Sequence, residues 1–397
     1  MSDSKPKIAY FLRRDPGEVG QITGGTWSNL MVLRALTNVD VLVVTNQSDV
    51  VTEELSRLGI RHIVLGADLS YSGVRGHPVR LVRALASTAL FNARFFRTLR
   101  REGIAVVQCD ENAATFVGFG AKLAGCALVV VYRNFPGVVP KTRALYKIPT
   151  LIADRLVTTA QALHEAVLTQ GWRSPASRTE FVYNSVDLGA VRERRAGIDR
   201  AKVRAELGIA EGEVAMGVIA SIVPVKQQAE FLEEVVPGLA PELERRNARI
   251  YLVGGGKDDD AYPARCKRAI EVHGLERVVR MVGYARDMAP WYAALDISVY
   301  PGIEGPARSL IESSAHELPI VARAGCAEAV LDGKTGLLCA TLGEMGAPIL
   351  RLVSDAALRR ELGSNGRAFV EDRFDVRRNS GRYEAIYAAL ARHRPSY

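Results

Sequence analysis

The chain predicts an α/β protein built from two doubly wound, Rossmann-like domains facing a central cleft. Short continuous apolar runs alternate with helical patterns through both halves, as parallel strands covered on both faces do. Its 397 residues exceed one ordinary core, and 48% apolar with 24% charged residues suffice to bury two. A turn-rich stretch, Tyr183-Asn184-Ser185-Val186-Asp187, lies near the middle and is followed by a charged run over residues 192–195.

The first series of strands is expected at residues 8–12, 39–44, 62–65, 105–108, 128–132, 156–158 and 179–183. The second is expected at 214–220, 250–253, 279–282, 297–300, 320–322 and 337–339. The domains are therefore drawn as residues 1–186 and 187–375, with the ligand cleft between them.

No stretch reaches about 18 uninterrupted apolar residues, and residues 1–7 run into a strand without an apolar signal region. A soluble, cytoplasmic protein is the expectation. The five cysteines at 109, 126, 266, 326 and 339 lack metal-type spacing and read as reduced core thiols. The net charge of +8 is uneven: residues 1–190 hold 22 Lys and Arg against 15 Asp and Glu, the remainder 30 against 29. Part of that excess lies in residues 78–102, where Arg80, Arg83, Arg94, Arg97, Arg100 and Arg101 interleave with leucines and phenylalanines. This segment reads either as an interfacial helix touching anionic lipid or as a core-packed helix with a solvated face. The irregular spacing of the arginines favours the second, leaving peripheral contact with the inner membrane face as the other option. Nucleic acid is not an expected partner, since no basic groove with stacking aromatics is evident.

Four turns carry candidate chemistry. After the strand at 297–300 come Glu304, Gly305, Pro306 and a helix expected to start near Ala307, with Glu312 inside it. The first amides of such a helix suit a phosphate, and Pro306 needs no donor at its start. The plainer alternative makes Arg308 and Glu312 an exposed i,i+4 pair and Glu304 a surface acid. Gly24-Gly25 after the first strand, Ser221 to Gln227, and Gly254-Gly255-Gly256 could each bring backbone close to a phosphate. Asp258-Asp259-Asp260 reads as a helix N-terminus rather than a metal clamp. The glycines of 118–125 do not match the dinucleotide fingerprint, and no P-loop, nucleophile elbow or histidine ligand spacing occurs.

In this order the motifs resemble the retaining, nucleotide-sugar-dependent glycosyltransferases of family 4, with the GT-B fold. The matches are Gly24-Gly25, Asn184-Ser185-Val186-Asp187, Val223-Pro224-Val225-Lys226, Leu252-Val253-Gly254-Gly255-Gly256, Val282-Gly283-Tyr284, the segment 304–312, and Glu328 with Asp332-Gly333-Lys334-Thr335-Gly336. The resemblance implies that Glu304 holds donor-sugar hydroxyls and Glu312 the ribose. Lys226, Gly25 and amides around Gly305, Arg308, Ser309 and Leu310 would neutralise the leaving diphosphate, and Tyr284 would lie against the base. It further implies a UDP- or GDP-linked sugar as co-substrate, no metal or other cofactor, and a last helix within 376–397 crossing back to the first domain. The acceptor would be a glycan, a lipid-linked group or a small molecule, as in glycan, glycolipid or glycoside biosynthesis.

Two positions depart from the family. Ser221 stands where an arginine is usual, and Arg133 where a histidine usually follows its strand. Arg133 with Arg308 is expected to restore the missing positive charge, and Glu317 replaces a common glycine. These departures keep a second reading open, a non-catalytic nucleotide-sugar-binding subunit; a phosphorylase or epimerase of the same fold is more remote.

Overall fold

The computed structural model describes residues 5–14, 20, 22–69, 77–133, 151–169, 175–256, 261–303 and 307–392. The chain divides into two compact units, one formed by residues 1–185 with 376–397, the other by 186–375.

In the first unit the order along the chain is β1 (Lys7–Leu12), α1 (Gly24–Ala35), β2 (Asp40–Thr45), α2 (Val50–Arg57), β3 (His62–Val64), α3 (Pro78–Glu102), β4 (Val106–Asp110), α4 (Glu111–Leu123), β5 (Ala127–Tyr132), β6 (Arg155–Thr158), α5 (Gln161–Thr169) and β7 (Thr179–Phe181). The strands form one parallel sheet in the order β3-β2-β1-β4-β5-β6-β7. Alternate residues of β1 enter opposite cores, as period-2 geometry requires. Ala9 and Phe11 pack with Phe91, Phe95 and Leu99 of α3, while Ile8, Tyr10 and Leu12 pack with Leu30 and Leu33 of α1.

The second unit runs α6 (Leu188–Ala196), α7 (Arg200–Glu206), β8 (Val214–Ile219), α8 (Gln228–Glu234), α9 (Val236–Arg245), β9 (Ala248–Val253), α10 (Ala261–Val272), β10 (Val279–Gly283), α11 (Ala289–Ala294), β11 (Ile297–Tyr300), α12 (Arg308–Ala315), β12 (Ile320–Arg323), β13 (Gly336–Cys339), α13 (Gly346–Ser354) and α14 (Ala356–Arg373). Its parallel sheet has the order β10-β9-β8-β11-β12-β13. The last helix, α15 (Val376–Arg392), belongs to the first unit, where Tyr383, Ile386 and Tyr387 join the α1 face of the core.

Both sheets are the predicted doubly wound, parallel kind, and each apolar run of the sequence is a strand. The five cysteines form no disulfide and are buried. No helix among the described residues is long and apolar enough to cross a membrane. Glu304, Gly305, Pro306 and the acidic run 258–260 lie outside the described residues.

Candidate functional site

In each sheet the first strand has its successors on both sides, so the strand order reverses beside it, between β1 and β4 and between β8 and β11. Ligands of such sheets bind outside the carboxyl ends of the strands at that reversal. The candidate residues gather at these two places.

In the second unit, β8 ends in Ala220-Ser221 and a 3-10 turn, Pro224–Lys226, closed by Gln227 at φ 52°. Left-handed backbone is unusual for glutamine, and Gln227 is held there by Arg323, whose Nη1 donates to its Oε1 at 3.1 Å. The turn presents Lys226, whose Nζ donates to the Tyr300 hydroxyl at 2.9 Å. Tyr300 is the last residue of β11, and a side chain on Gly302 would sit 3.2 Å from the Lys226 Cα. The lysine is thus pinned to the end of β11, beside the segment that leads into α12.

Helix α12 begins at Arg308, with Ala307 as its N-cap, whose own side chain makes no capping hydrogen bond. The N–H groups of Arg308 and Ser309 head the helix, while that of Leu310 donates to the Ala307 carbonyl at 3.0 Å. Glu312 lies one turn on. Its Oε1 accepts from Arg308 Nε and Nη2 at 2.9 and 2.7 Å, and its Oε2 from the Tyr292 hydroxyl of α11 at 2.9 Å. The Arg308–Glu312 pair therefore exists, but with side chains 11% and 18% exposed it is not a surface pair. The Tyr292 ring stacks on His316 at 4.9 Å, so the carboxylate is fixed from behind by two rings. Burial, then the Glu312 charge, raise the Tyr292 pKa well above the usual phenol value, which keeps it a donor.

The Gly254 N–H donates to the Gly283 carbonyl at 2.9 Å. A Cβ there would meet the Ala220 carbonyl oxygen at 1.8 Å. Close approach of the β8 and β9 loops accounts for this glycine. Ser221 is exposed and its carbonyl accepts from Gln228 Nε2 at 2.8 Å. Tyr284 is 44% exposed after Gly283, whose φ of 86° needs a glycine. Asp332 and Thr335 hold the turn into β13, accepting from the Leu338 and Leu331 amides, both at 2.8 Å.

In the first unit, Gly24 and Gly25 open α1 rather than forming a loop before it, with Thr23 as N-cap. Both are exposed, and α1 has no acid in its first turn. A Cβ on Gly25 would lie 3.8 Å from Arg133 Cδ. Arg133 follows β5 and is nearly buried. Its Nε donates to Asp110 at 3.3 Å, Nη1 to Asn184 Oδ1 at 2.5 Å, and Nη2 to Asn29 Oδ1. Asp110 also accepts from Tyr10 and Asn29, at 3.2 and 2.9 Å. Burial opposes the Arg133 charge, but Asp110 and its neighbours hold it firmly protonated. Asn184, drawn from the sequence as part of a joint motif, accepts from the Arg133 guanidinium, and Asp187 caps α6 by accepting from the Ala190 amide at 2.9 Å.

Tyr292 and Tyr300 escape sequence reasoning, because nothing in their spacing separates them from core aromatics. Among the described residues, no three His, Cys, Asp or Glu side chains are grouped as metal ligands are.

Residues 213–355 match the family Glycosyl transferases group 1. That span contains every candidate of the second unit. The chain is 32% identical over 196 residues to D-inositol 3-phosphate glycosyltransferase 2 of Catenulispora acidiphila, covering 47% of this chain and 44% of that protein. It is 25% identical over 223 residues to N-acetyl-alpha-D-glucosaminyl L-malate synthase of Bacillus anthracis, 55% of each. The chain thus spans about half the length of the curated relatives it matches. In fold it is similar to Anabaena HepE in complex with UDP-glucose, with a TM-score of 0.78 at 19% identity over 96% of this chain and 99% of that one. The GT-B class predicted from the sequence is the fold of this chain.

Proposed function

We propose that this protein is a retaining, metal-independent glycosyltransferase that moves a sugar from a nucleoside-diphosphate sugar to an acceptor hydroxyl. The observation that carries the reading is the convergence of Lys226, the start of α12 and the braced Glu312 at the strand-order reversal of the second sheet. Negative charge develops on the leaving phosphate as the glycosidic bond breaks, and fixed donors aimed at it lower the barrier. Lys226 and the Arg308 and Ser309 amides are those donors. Glu312 accepts from the ribose hydroxyls, exchanging the Arg308 contact for them and freeing that guanidinium for phosphate. Glu304 is assigned the sugar hydroxyls and Tyr284 the base. In the first unit, the α1 amides at Gly25 and the charged Arg133 offer further donors to an anionic substrate oxygen. The departing phosphate takes the acceptor proton, so no covalent enzyme intermediate is needed.

The acceptor is proposed to be anionic. The relatives are named for an inositol phosphate and for malate, and the positive charge of this chain is concentrated in residues 1–190.

Calorimetric titration with UDP and GDP tests the donor site. Lys226→Ala should weaken binding about tenfold (~1.4 kcal/mol) with the fold retained, and unchanged affinity for both nucleotides would sink the assignment. Arg133, standing where the family usually has a histidine, motivates a second reading: a nucleotide-sugar-binding subunit without turnover. Mass-spectrometric detection of product from the purified chain across a panel of activated sugars separates the two.

A further inference from the structure

Helix α3 turns Ala84, Phe91, Phe95, Thr98 and Leu99 into the first unit. At 100° per residue, the line opposite that face runs through Val79, Val82, Ala86, Leu90 and Ala93 before reaching Arg97 and Arg100. A core-packed helix with a solvated face would carry charge along this whole line. Here charge occupies only its last two turns. Val79 is 65%, Val82 64% and Leu90 54% exposed, and Leu85 beside them is exposed too. The apolar line is about 21 Å long. Helix α4 packs against α3, where Asn92 Nδ2 donates to the Phe116 carbonyl at 2.6 Å, and exposes Phe119 and Leu123 in turn.

Cations frame this apolar line. Arg83, Arg97 and Arg100 are exposed, and the helix's one acid, Glu102, is engaged by Arg61 and Arg101. Apolar residues beside unopposed arginines are the composition of a helix lying in a membrane interface. A second copy docked on the same face would bring two sets of arginines together, which like-charge repulsion disfavours.

We propose that the outward face of α3 seats this protein on an anionic lipid bilayer, with Val79, Val82 and Leu90 entering the headgroup boundary and the arginines meeting lipid phosphates. This site is separate from the proposed sugar-transfer chemistry and stands without it.

Co-sedimentation of the full chain with vesicles of equal parts phosphatidylglycerol and phosphatidylcholine tests it, against pure phosphatidylcholine. Wild type should pellet with the anionic vesicles at low salt, and less at about 0.5 M salt, where charges beyond a few ångströms are screened. The double variant Val82→Asp with Leu90→Asp should lose about tenfold in partitioning. Arg97→Gln and Arg100→Gln should each lose about fivefold at low salt. Thermal melts check that the exposed substitutions leave the fold intact, and the arginine variants carry the test if the aspartate pair does not fold. No pelleting at low salt overturns the proposal and leaves an acidic protein as the partner. Pelleting that neither set of variants reduces overturns it too, as does a wild-type dimer in solution that the aspartate pair dissociates.

Discussion

Lowering the pH from 7 to 5 should weaken the fold through one side chain, His316. The ring lies at the end of α12, 7% exposed and stacked on Tyr292. Burial pulls its pKa down to about 4; Glu312 opposes the shift, while Arg195, Arg367 and Arg194 add to it. In the unfolded chain a histidine titrates near ~6.5. Between those values the unfolded state binds a proton that the folded state refuses, so stability falls as pH drops through the window. Integrated from pH 7 to pH 5, the penalty is about 2 kcal/mol. Carboxylates titrate in the same range, so the measurement is a difference. Urea unfolding of wild type and His316→Phe, which keeps a ring on Tyr292, should show wild type losing about 2 kcal/mol more than the variant. A gap under about 0.5 kcal/mol would mean that His316 charges without penalty, and that its burial does not govern its titration.

Gly254→Ala should destabilise by about 3 kcal/mol or more, since its Cβ would overlap the Ala220 carbonyl at 1.8 Å and backbone, not a flexible side chain, must move; a melting temperature within about 2 °C of wild type would contradict this. Glu317→Gly should be near neutral at pH 7. It relieves a left-handed glutamate at φ 61° but removes ion pairs to Arg195 and Arg367 at 2.8 and 2.9 Å, each partly exposed and worth about 0.2–1 kcal/mol. Its carboxylate is held below the usual range, first by the Arg195 hydrogen bond, so those pairs are lost as pH falls through the folded pKa. The variant should therefore gain on wild type in acid, and melts at pH 7 and about pH 3 should show it; a growing deficit there would refute the account.

The strands were legible because parallel strands buried on both faces leave unbroken apolar runs, of which 128–132 and 250–253 are examples. The start of α12 was legible for a similar reason: a strand, a Gly-Pro turn and a helical run leave little choice of geometry. What brings the site together was not. Tyr292 meets Glu312 across 20 residues of chain, and Lys226 meets Tyr300 across 74. A tyrosine in an apolar run looks like core until its hydroxyl's partner is known. Gly254 was visible as a glycine, but its reason, the carbonyl of Ala220 just beyond β8, is a tertiary fact. Along α3 the sequence showed arginines and leucines mixed; which side faced the core decided whether the outer side was charged, and it is largely apolar.

The first unit is assembled from both ends of the chain, because α15 supplies Tyr383, Ile386 and Tyr387 to its core and Tyr387 donates to the buried Gln108 at 2.6 Å. Glu384 of the same helix accepts from the Asn38 amide at 2.8 Å. Synthesis runs the other way: the second unit, contiguous from 186 to 375, is complete before α15 leaves the ribosome. On the nascent chain the second unit can finish folding while the first still lacks a wall of its core. The unit whose strands are made first can complete its core only after the second has been made.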